Sequence, residues 1–281
     1  MSDWTLMGLA LVGGLGMYFG IGGLITLVFY RRRRHAPETW KSQPDRFLTP
    51  RLLRDQLLLG TSNMAVASLI TGYLAARMLE HNFTAIVFDL DVLGLPLAIA
   101  TTVAYFLVMD LTLYWAHRMF HLKPLHVRFH RAHHRYVTPT PYTAAAAHPV
   151  EFFFYQGLAL LPLLVLPVHV VGVVGVLVYH NLIGLLDHSG VRMRVVLPWQ
   201  APPQFHDDHH RYYHVNFGQA LSFWDRIFGT WRRTDRLYTE DTYGGRGAPL
   251  GPGTPARPPL VDYRDREARD AEAIGYLGRA T

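Results

Sequence analysis

Cysteine is absent from all 281 residues. That removes disulfides, thiolate-bound zinc and iron–sulfur clusters, so any metal this chain holds must sit on histidine and carboxylate. An HExxH pair is also missing, which excludes the usual helix-borne zinc hydrolase site. No glycine-rich dinucleotide fingerprint follows a strand-like run, so neither nicotinamide nor flavin is bound by that device. Charge is scarce too: 17% of residues are charged against 50% hydrophobic, and the mean hydropathy is positive. The net charge of +6 does not form a basic stripe with interleaved stacking aromatics. The arginines flank apolar runs instead, which fits anionic lipid head groups and not nucleic acid.

What is present is a series of long uncharged runs. Residues 4–30 carry no charge, and these 27 positions exceed the roughly 20 that cross a bilayer as a helix. Asp3 precedes the run and four arginines follow it at 31–34, the reverse of a cleaved leader, so it reads as a membrane anchor. Within it Gly16 and Gly20 form a GxxxG pair, expected to pack closely against a second helix. Residues 31–54 hold eight Lys and Arg against two acids, which by the positive-inside rule marks a cytoplasmic loop and an external N-terminus. A second run covers 57–76, and the loop at 78–96 has Glu80, Asp89 and Asp91 but no Lys or Arg, as suits the outer side. A third, 92–116, has Asp110 as its only charge and delivers His117 to the cytoplasmic end. Residues 152–186 would reach about 52 Å as one helix, well past a core of about 30 Å, so they must fold back at Pro162 and Pro167.

The other excess is histidine. Of 16 histidines, 14 lie from His117 to His214. His117 and His121 are four apart; His130, His133 and His134 form an HxxHH motif; His206, His209 and His210 form another; His148 and His188 stand between. At helical spacing each group shares a face. Neutral imidazole suits Zn, Cu, Fe and Ni, and one ion is satisfied by four to six ligands, so this many point to two ions. Lone histidines such as His35, His81, His126 and His169 read as interfacial or core side chains. Asp110 is costly inside an apolar helix without a partner, and is expected to accept a hydrogen bond from an imidazole and fix its tautomer; Glu151, Asp207 and Asp208 compete for that role.

The chain resembles the fatty acid hydroxylase / sterol desaturase superfamily of membrane non-haem di-iron oxygenases. The resemblance covers about residues 110–231 and rests on DLTLYWAHRMFH, HRAHH, PTPYTAAAAHPVE, LLDHSG, HDDHH and NFGQALSFWDRIFGTW in that order. PTPYTAAAAHPVE and HDDHHRYYHVNFGQALSFWDRI look most like the sterol C5-desaturase (lathosterol oxidase) branch, with features shared by the C4-methyl oxidase branch. Carried onto this sequence, it implies iron ligands at His117, His121, His130, His133, His134, His188, His206, His209 and His210, with His148 as a further candidate ahead of His180. It also implies an O2-dependent oxidoreductase that desaturates or hydroxylates a C–H bond of a membrane lipid, sterol-like in the sense of that branch. Cutting such a bond needs activated oxygen, which two irons can supply given electrons. With no dinucleotide fingerprint, the electrons are expected from a separate cytochrome b5, ferredoxin or reductase.

The expected architecture is an all-α integral membrane bundle of about four spanning or hairpin helices under a cytoplasmic histidine-rich di-metal cap. The expected division is 1–56, an anchor and basic loop; 57–231, the catalytic domain; and 232–281, a polar Pro/Gly-rich tail ending in a charged, helix-prone stretch. Two other classes stay open on the residues alone: a membrane zinc hydrolase using metal-bound water, and a metal-binding transporter or sensor, whose ligands should then line a path through the spans.

Overall fold

The computed structural model describes residues 2–81, 83–194, 197 and 199–251. The part of the Pro/Gly-rich stretch beyond 251 and the charged end lie outside them. Helices form where the uncharged runs fall. α1 spans Asp3–Ile25, started by the Ser2 hydroxyl, which accepts from the Thr5 N–H at 3.2 Å, and winds on as a π-helix over Thr26–Arg32. α2 spans Pro50–His81 and α3 Leu95–Phe120, with Pro96 in its first turn. α4, Pro149–Leu160, tightens into a 3-10 turn at Leu161–Leu164, and α5, Val170–Asp187, returns after the bend expected at Pro162 and Pro167. Two short helices follow, α6 at Pro203–Tyr212 and α7 at Phe223–Phe228. Strands β1 (Arg236–Leu237) and β2 (Ala248–Pro249) pair antiparallel.

α1 with its π-helical extension, α2, α3 and α5 are each long and apolar enough to cross a bilayer. Their outward faces present Val12, Ile70, Ile99, Val103, Val171 and Val174. The molecule is a helical integral membrane protein, as the hydropathy implied. α2 begins well before the uncharged run at 57, because Arg51 and Arg54 do not stop a helix; the run marks apolar depth, not helix length.

α1 lies on α2 through small residues, though not the expected pair. Nothing approaches the missing Cβ of Gly16 or Gly20 within 4 Å. Gly14 and Gly22 face inward instead, against Ser68 and Tyr142, and Gly72 on α2 meets the Met7 Cα at 2.5 Å and the Leu6 carbonyl at 2.7 Å from its own missing Cβ. The stripe that includes Gly14, Tyr18 and Gly22 is turned inward by Tyr18, which is buried and donates its hydroxyl to the Tyr142 carbonyl at 3.0 Å.

The inner face of α2 is polar and grips the buried loop that precedes α4. Asn63 donates to the Ala145 and Ala147 carbonyls at 2.8 and 2.9 Å, and Gln56 bonds Thr140 and Thr143. Small alanines let that backbone lie this close. α3 packs on α4 and α5 through Tyr105, Met109 and Leu113 against Ala159, Leu163, Val168, Val173 and Val176. At the end away from the histidines, the Val87 N–H donates to Val168 and Val87 accepts from Val170, both at 2.9 Å, closing the hairpin turn.

The boundary drawn at 56 is crossed by buried hydrogen bonds and that at 231 by a half-exposed ion pair. Lys41 donates to Thr138 at 2.6 Å and Gln43 to Asp207 at 2.9 Å, while Glu240 pairs with Arg131 at 3.2 Å. The described residues of both flanking segments therefore fold onto the central one. Gly72→Ala, with backbone in the way, should lower the thermal unfolding midpoint in detergent, on the order of 1–3 kcal/mol of overpacking; Gly16→Ala, facing open space, should leave it unchanged or raise it slightly.

Candidate metal centre

Three helix ends meet around the histidines. His117 lies in the last turn of α3 and His121 is its C-cap. The chain turns over Lys123–Leu125 into a π-turn, His126–His130, and a helical turn, Arg131–His134. His188 caps the end of α5, and His206, His209 and His210 ride on α6. All nine are buried, and they fall into two groups: His117, His121, His130, His134 and His209; and His133, His188, His206 and His210. Within each group one nitrogen per residue lies within 4.8 Å of all the others. Each HxxHH motif is split between them. On a helix, residues four apart diverge by about 40°, while the third swings about 100° from the fourth. So His130 and His134 face one group and His133 the other, and His206 and His210 face the second group while His209 joins the first.

Backbone carbonyls aim the rings. Nδ1 of His117 donates to the Phe217 carbonyl at 2.8 Å, His209 to Val215 at 2.7 Å, His188 to Gly184 at 2.8 Å and His133 to Ala146 at 3.3 Å. A carbonyl only accepts, so Nδ1 holds the hydrogen and Nε2 turns a lone pair inward. There the Nε2 atoms crowd together: His188 to His206 at 2.9 Å and to His133 at 3.2 Å, and His134 to His130 at 3.0 Å and to His121 at 3.3 Å. His209 Nε2 and both nitrogens of His210 are buried with no hydrogen-bond partner among the described residues. Facing lone pairs and unpartnered buried nitrogens are costly unless a cation lies among them. The donor set fits two metal ions of the iron or zinc type, one per group.

Burial keeps these imidazoles neutral, which is the ligating form. It pushes His133 down to about 4 and His134, His188, His206, His209 and His210 well below the ordinary histidine range, with neighbouring imidazoles adding to the effect in most of them.

The carboxylates divide the supporting work differently from the sequence expectation. Glu151, on the first turn of α4, accepts from His130 Nδ1 at 2.5 Å, as a ligand-orienting group would. Asp110 does not meet an imidazole. It accepts from the Ala220 N–H at 3.0 Å and the Trp224 indole at 2.7 Å, because its turn of α3 faces the 216–231 segment and not the histidines. Asp208 is held by Arg232 at 2.8 Å, and Asp207 by Gln43. His148 stands outside both groups: it is the N-cap of α4, its Nδ1 accepting from the Val150 N–H at 3.2 Å, since Pro149 opens the helix and turns His148 back onto it. His180 lines a recess, described below, with its Nδ1 unpartnered.

Other residues of the centre carried a weaker signal. Asp225 accepts from the Phe217 and Gly218 N–H groups and the Thr230 hydroxyl, holding the loop whose carbonyl orients His117; burial pushes its carboxyl up to about 6. Nothing in one sequence marked it. His126 and His214 form a third group with His121. Their spacing, four before His130 and four after His210, extended the motifs and could have been read.

Beside the centre is a recess between α1, α2, α4 and α5, lined by Met17, Tyr18, Met64, Phe152, Leu185 and Ala144, with Gln156, His180 and Asn181 as polar points and His117, His133, His188 and His206 against its floor.

Residues 102–230 match the fatty acid hydroxylase family. The chain is similar to lathosterol oxidase of Mus musculus, 32% identical over 134 residues, covering 47% of this chain and 45% of that one. It is 35% identical over 141 residues to a methylsterol monooxygenase of Aspergillus fumigatus, covering 47% and 46%, and 33% identical over 148 residues to a Delta(7)-sterol 5(6)-desaturase of the same species, covering 51% and 43%. The chain thus spans under half the length of these curated relatives. No solved structure matches it significantly. Both histidine groups lie within the fatty acid hydroxylase domain, as does Glu151. His209→Ala should lower the metal bound per chain in the purified protein, whereas His148→Ala should leave it as in the parent; elemental analysis against protein concentration separates the two.

Proposed function

We propose that the chain is an O2-dependent di-iron oxidoreductase that desaturates or hydroxylates an unactivated C–H bond of a sterol-like membrane lipid. The observation that carries this reading is the pairing of two inward-facing imidazole groups with an apolar recess between membrane-crossing helices. His117, His121, His130, His134 and His209 would hold one iron, and His133, His188, His206 and His210 the other. Bound there, iron would supply the oxygen activation and electron storage that no side chain can.

The chain's own residues do the rest. The carbonyls of Phe217, Val215, Gly184 and Ala146 fix the rings before any ligand arrives, so little reorganisation is needed on binding. Met17, Tyr18, Met64 and Phe152 offer the recess an apolar wall for a lipid entering sideways and exclude water near the reacting carbon. Gln156 and Asn181 are placed to hold a hydroxyl of the substrate. A zinc hydrolase is disfavoured because the two groups offer five and four imidazoles, more than the three protein ligands of a catalytic zinc site. A transporter is disfavoured because the histidines gather at one end of the bundle instead of along a path through it.

Electrons come from a separate protein in this reading. A recess formed by Arg118, Arg233, Arg236 and Arg246 beside Phe228 has no acid among its lining residues, and suits the acidic face of a donor such as cytochrome b5, a ferredoxin or a reductase. Phe228 stacks on Tyr114 at 5.4 Å, one turn before His117, so the recess lies close behind the centre. The arginine-rich segment at 31–54 supports a cytoplasmic position for this end of the molecule in this reading.

Expression in a sterol-containing host, followed by mass spectrometry of total lipids, tests the proposal. A lipid that has lost two hydrogens or gained one oxygen is expected with the parent chain and not with His133→Ala. An unchanged lipid profile in cells where the parent chain is inserted and iron-loaded contradicts it.

A further inference from the structure

Four of the nine clustered histidines, His117, His133, His188 and His209, rest Nδ1 directly on a backbone carbonyl. His121 has another arrangement. Its Nδ1 lies 3.0 Å from Nδ1 of His214, and His214 Nε2 lies 2.6 Å from the Glu240 carbonyl oxygen. Valence fixes the hydrogens. The Glu240 carbonyl only accepts, so His214 carries its hydrogen on Nε2 and presents a lone pair at Nδ1. Two ring nitrogens at hydrogen-bond distance need one hydrogen between them, so His121 carries its own on Nδ1. Its Nε2, 3.3 Å from that of His134, is then the lone-pair nitrogen on the inner side.

We infer that the Glu240 carbonyl, acting through His214, sets which nitrogen of His121 faces the metal group. Residues 236–251, past the end of the fatty acid hydroxylase match at 230, are thereby a working part of the centre. The inference rests on the metal reading above and extends it to residues that neither histidine motif contains. The hairpin is built to hold this contact. β1 and β2 return the chain over His214, the Tyr243 ring lies 4.1 Å from the His214 ring, and the Glu240 side chain is tied to Arg131, the neighbour of His130. On the other side Tyr213 adopts a φ of 63°, sparsely populated for a bulky residue, which turns the chain between the end of α6 and His214. His214 is a positioning residue: it reaches iron only through His121.

His121, His126 and His214 also bring nitrogens within 4.8 Å of one another, so a third ion is the rival reading. It would have to break the 3.0 Å bond and bind His121 through both ring nitrogens, stripping its last hydrogen. The relay needs neither.

Titrating the purified full chain with Co(II), followed by visible absorption, decides between them. His214→Asn leaves an amide oxygen near the Nδ1 position to accept from His121; His214→Phe keeps a ring and removes the acceptor. The parent is expected to take two Co(II) ions. His214→Phe should weaken one of them by about 10- to 100-fold with a changed ligand-field spectrum, and His214→Asn should stay within about threefold of the parent, the scale of an outer hydrogen-bonding partner. Equal affinities in the parent and His214→Phe, or a His214→Asn variant as defective as His214→Phe, would overturn the relay while leaving two ions in place. A third Co(II) in the parent that His214→Phe loses would overturn it in favour of the rival. A parent that binds no Co(II) would remove the metal reading and this one together. Should His214→Phe fail to fold, nitrogen-15 histidine spectra of the unaltered metal-free chain still decide: hydrogen on Nδ1 of His121 and Nε2 of His214 is expected, and the opposite pair of tautomers refutes the relay.

Discussion

Nine imidazoles buried together cannot all be charged, and as neutral rings each must still place one N–H and one lone pair. This requirement organises the end of the molecule where the histidines lie. The N–H side is answered for His117, His133, His188 and His209 by carbonyls of loops and helix ends, and for His130 by Glu151. Of those acceptors, Phe217 is held by Asp225 and Ala146 by its neighbours Ala145 and Ala147, which Asn63 binds; the 137–140 stretch leading towards Ala146 is held in turn by Gln43, Lys41 and Gln56. The lone-pair side of these rings meets no donor among the described residues. A buried polar atom left without one costs about 1–3 kcal/mol, and several of them approach the 5–15 kcal/mol that hold an ordinary domain together. Metal binding and the stability of this end of the bundle are therefore coupled.

The same accounting explains why so much of the polar structure lies away from the histidines themselves. Asp110, deep in α3, spends its hydrogen bonds on Ala220 and Trp224, which pins the 216–231 segment against the helix carrying His117. Gln56 and Asn63 are polar residues on a membrane-crossing helix, a costly placement unless they are bonded, and both are bonded to the loop that leads into α4. The membrane helices thus set the depth of the centre, and the loops between them set its orientation.

The parts legible in sequence were those with a period or a run. Uncharged stretches marked the membrane helices, two prolines marked the hairpin, and HxxHH spacing marked the residues that meet. What spacing could not say was which way each helix turns. Gly16 and Gly20 looked like the packing pair, but Tyr18 and its bond to Tyr142 rotate α1 so that Gly14 and Gly22 face inward. His148 sat in a motif beside Glu151, yet Pro149 makes it a helix cap. The division of each HxxHH motif between two groups follows from helix geometry, but only once the two motifs are known to face each other. The hairpin at 236–251 had no periodic signal, because its contact with the centre runs through one backbone carbonyl.

The proposed function requires two irons, one per group, each bound through imidazole nitrogen. X-ray absorption at the iron edge, on the purified chain loaded anaerobically, addresses it most directly. A first shell dominated by nitrogen, with the outer-shell scattering of four to five imidazoles per iron, is expected. A shell dominated by oxygen, or iron that washes away while the protein remains folded and fully active, would contradict it.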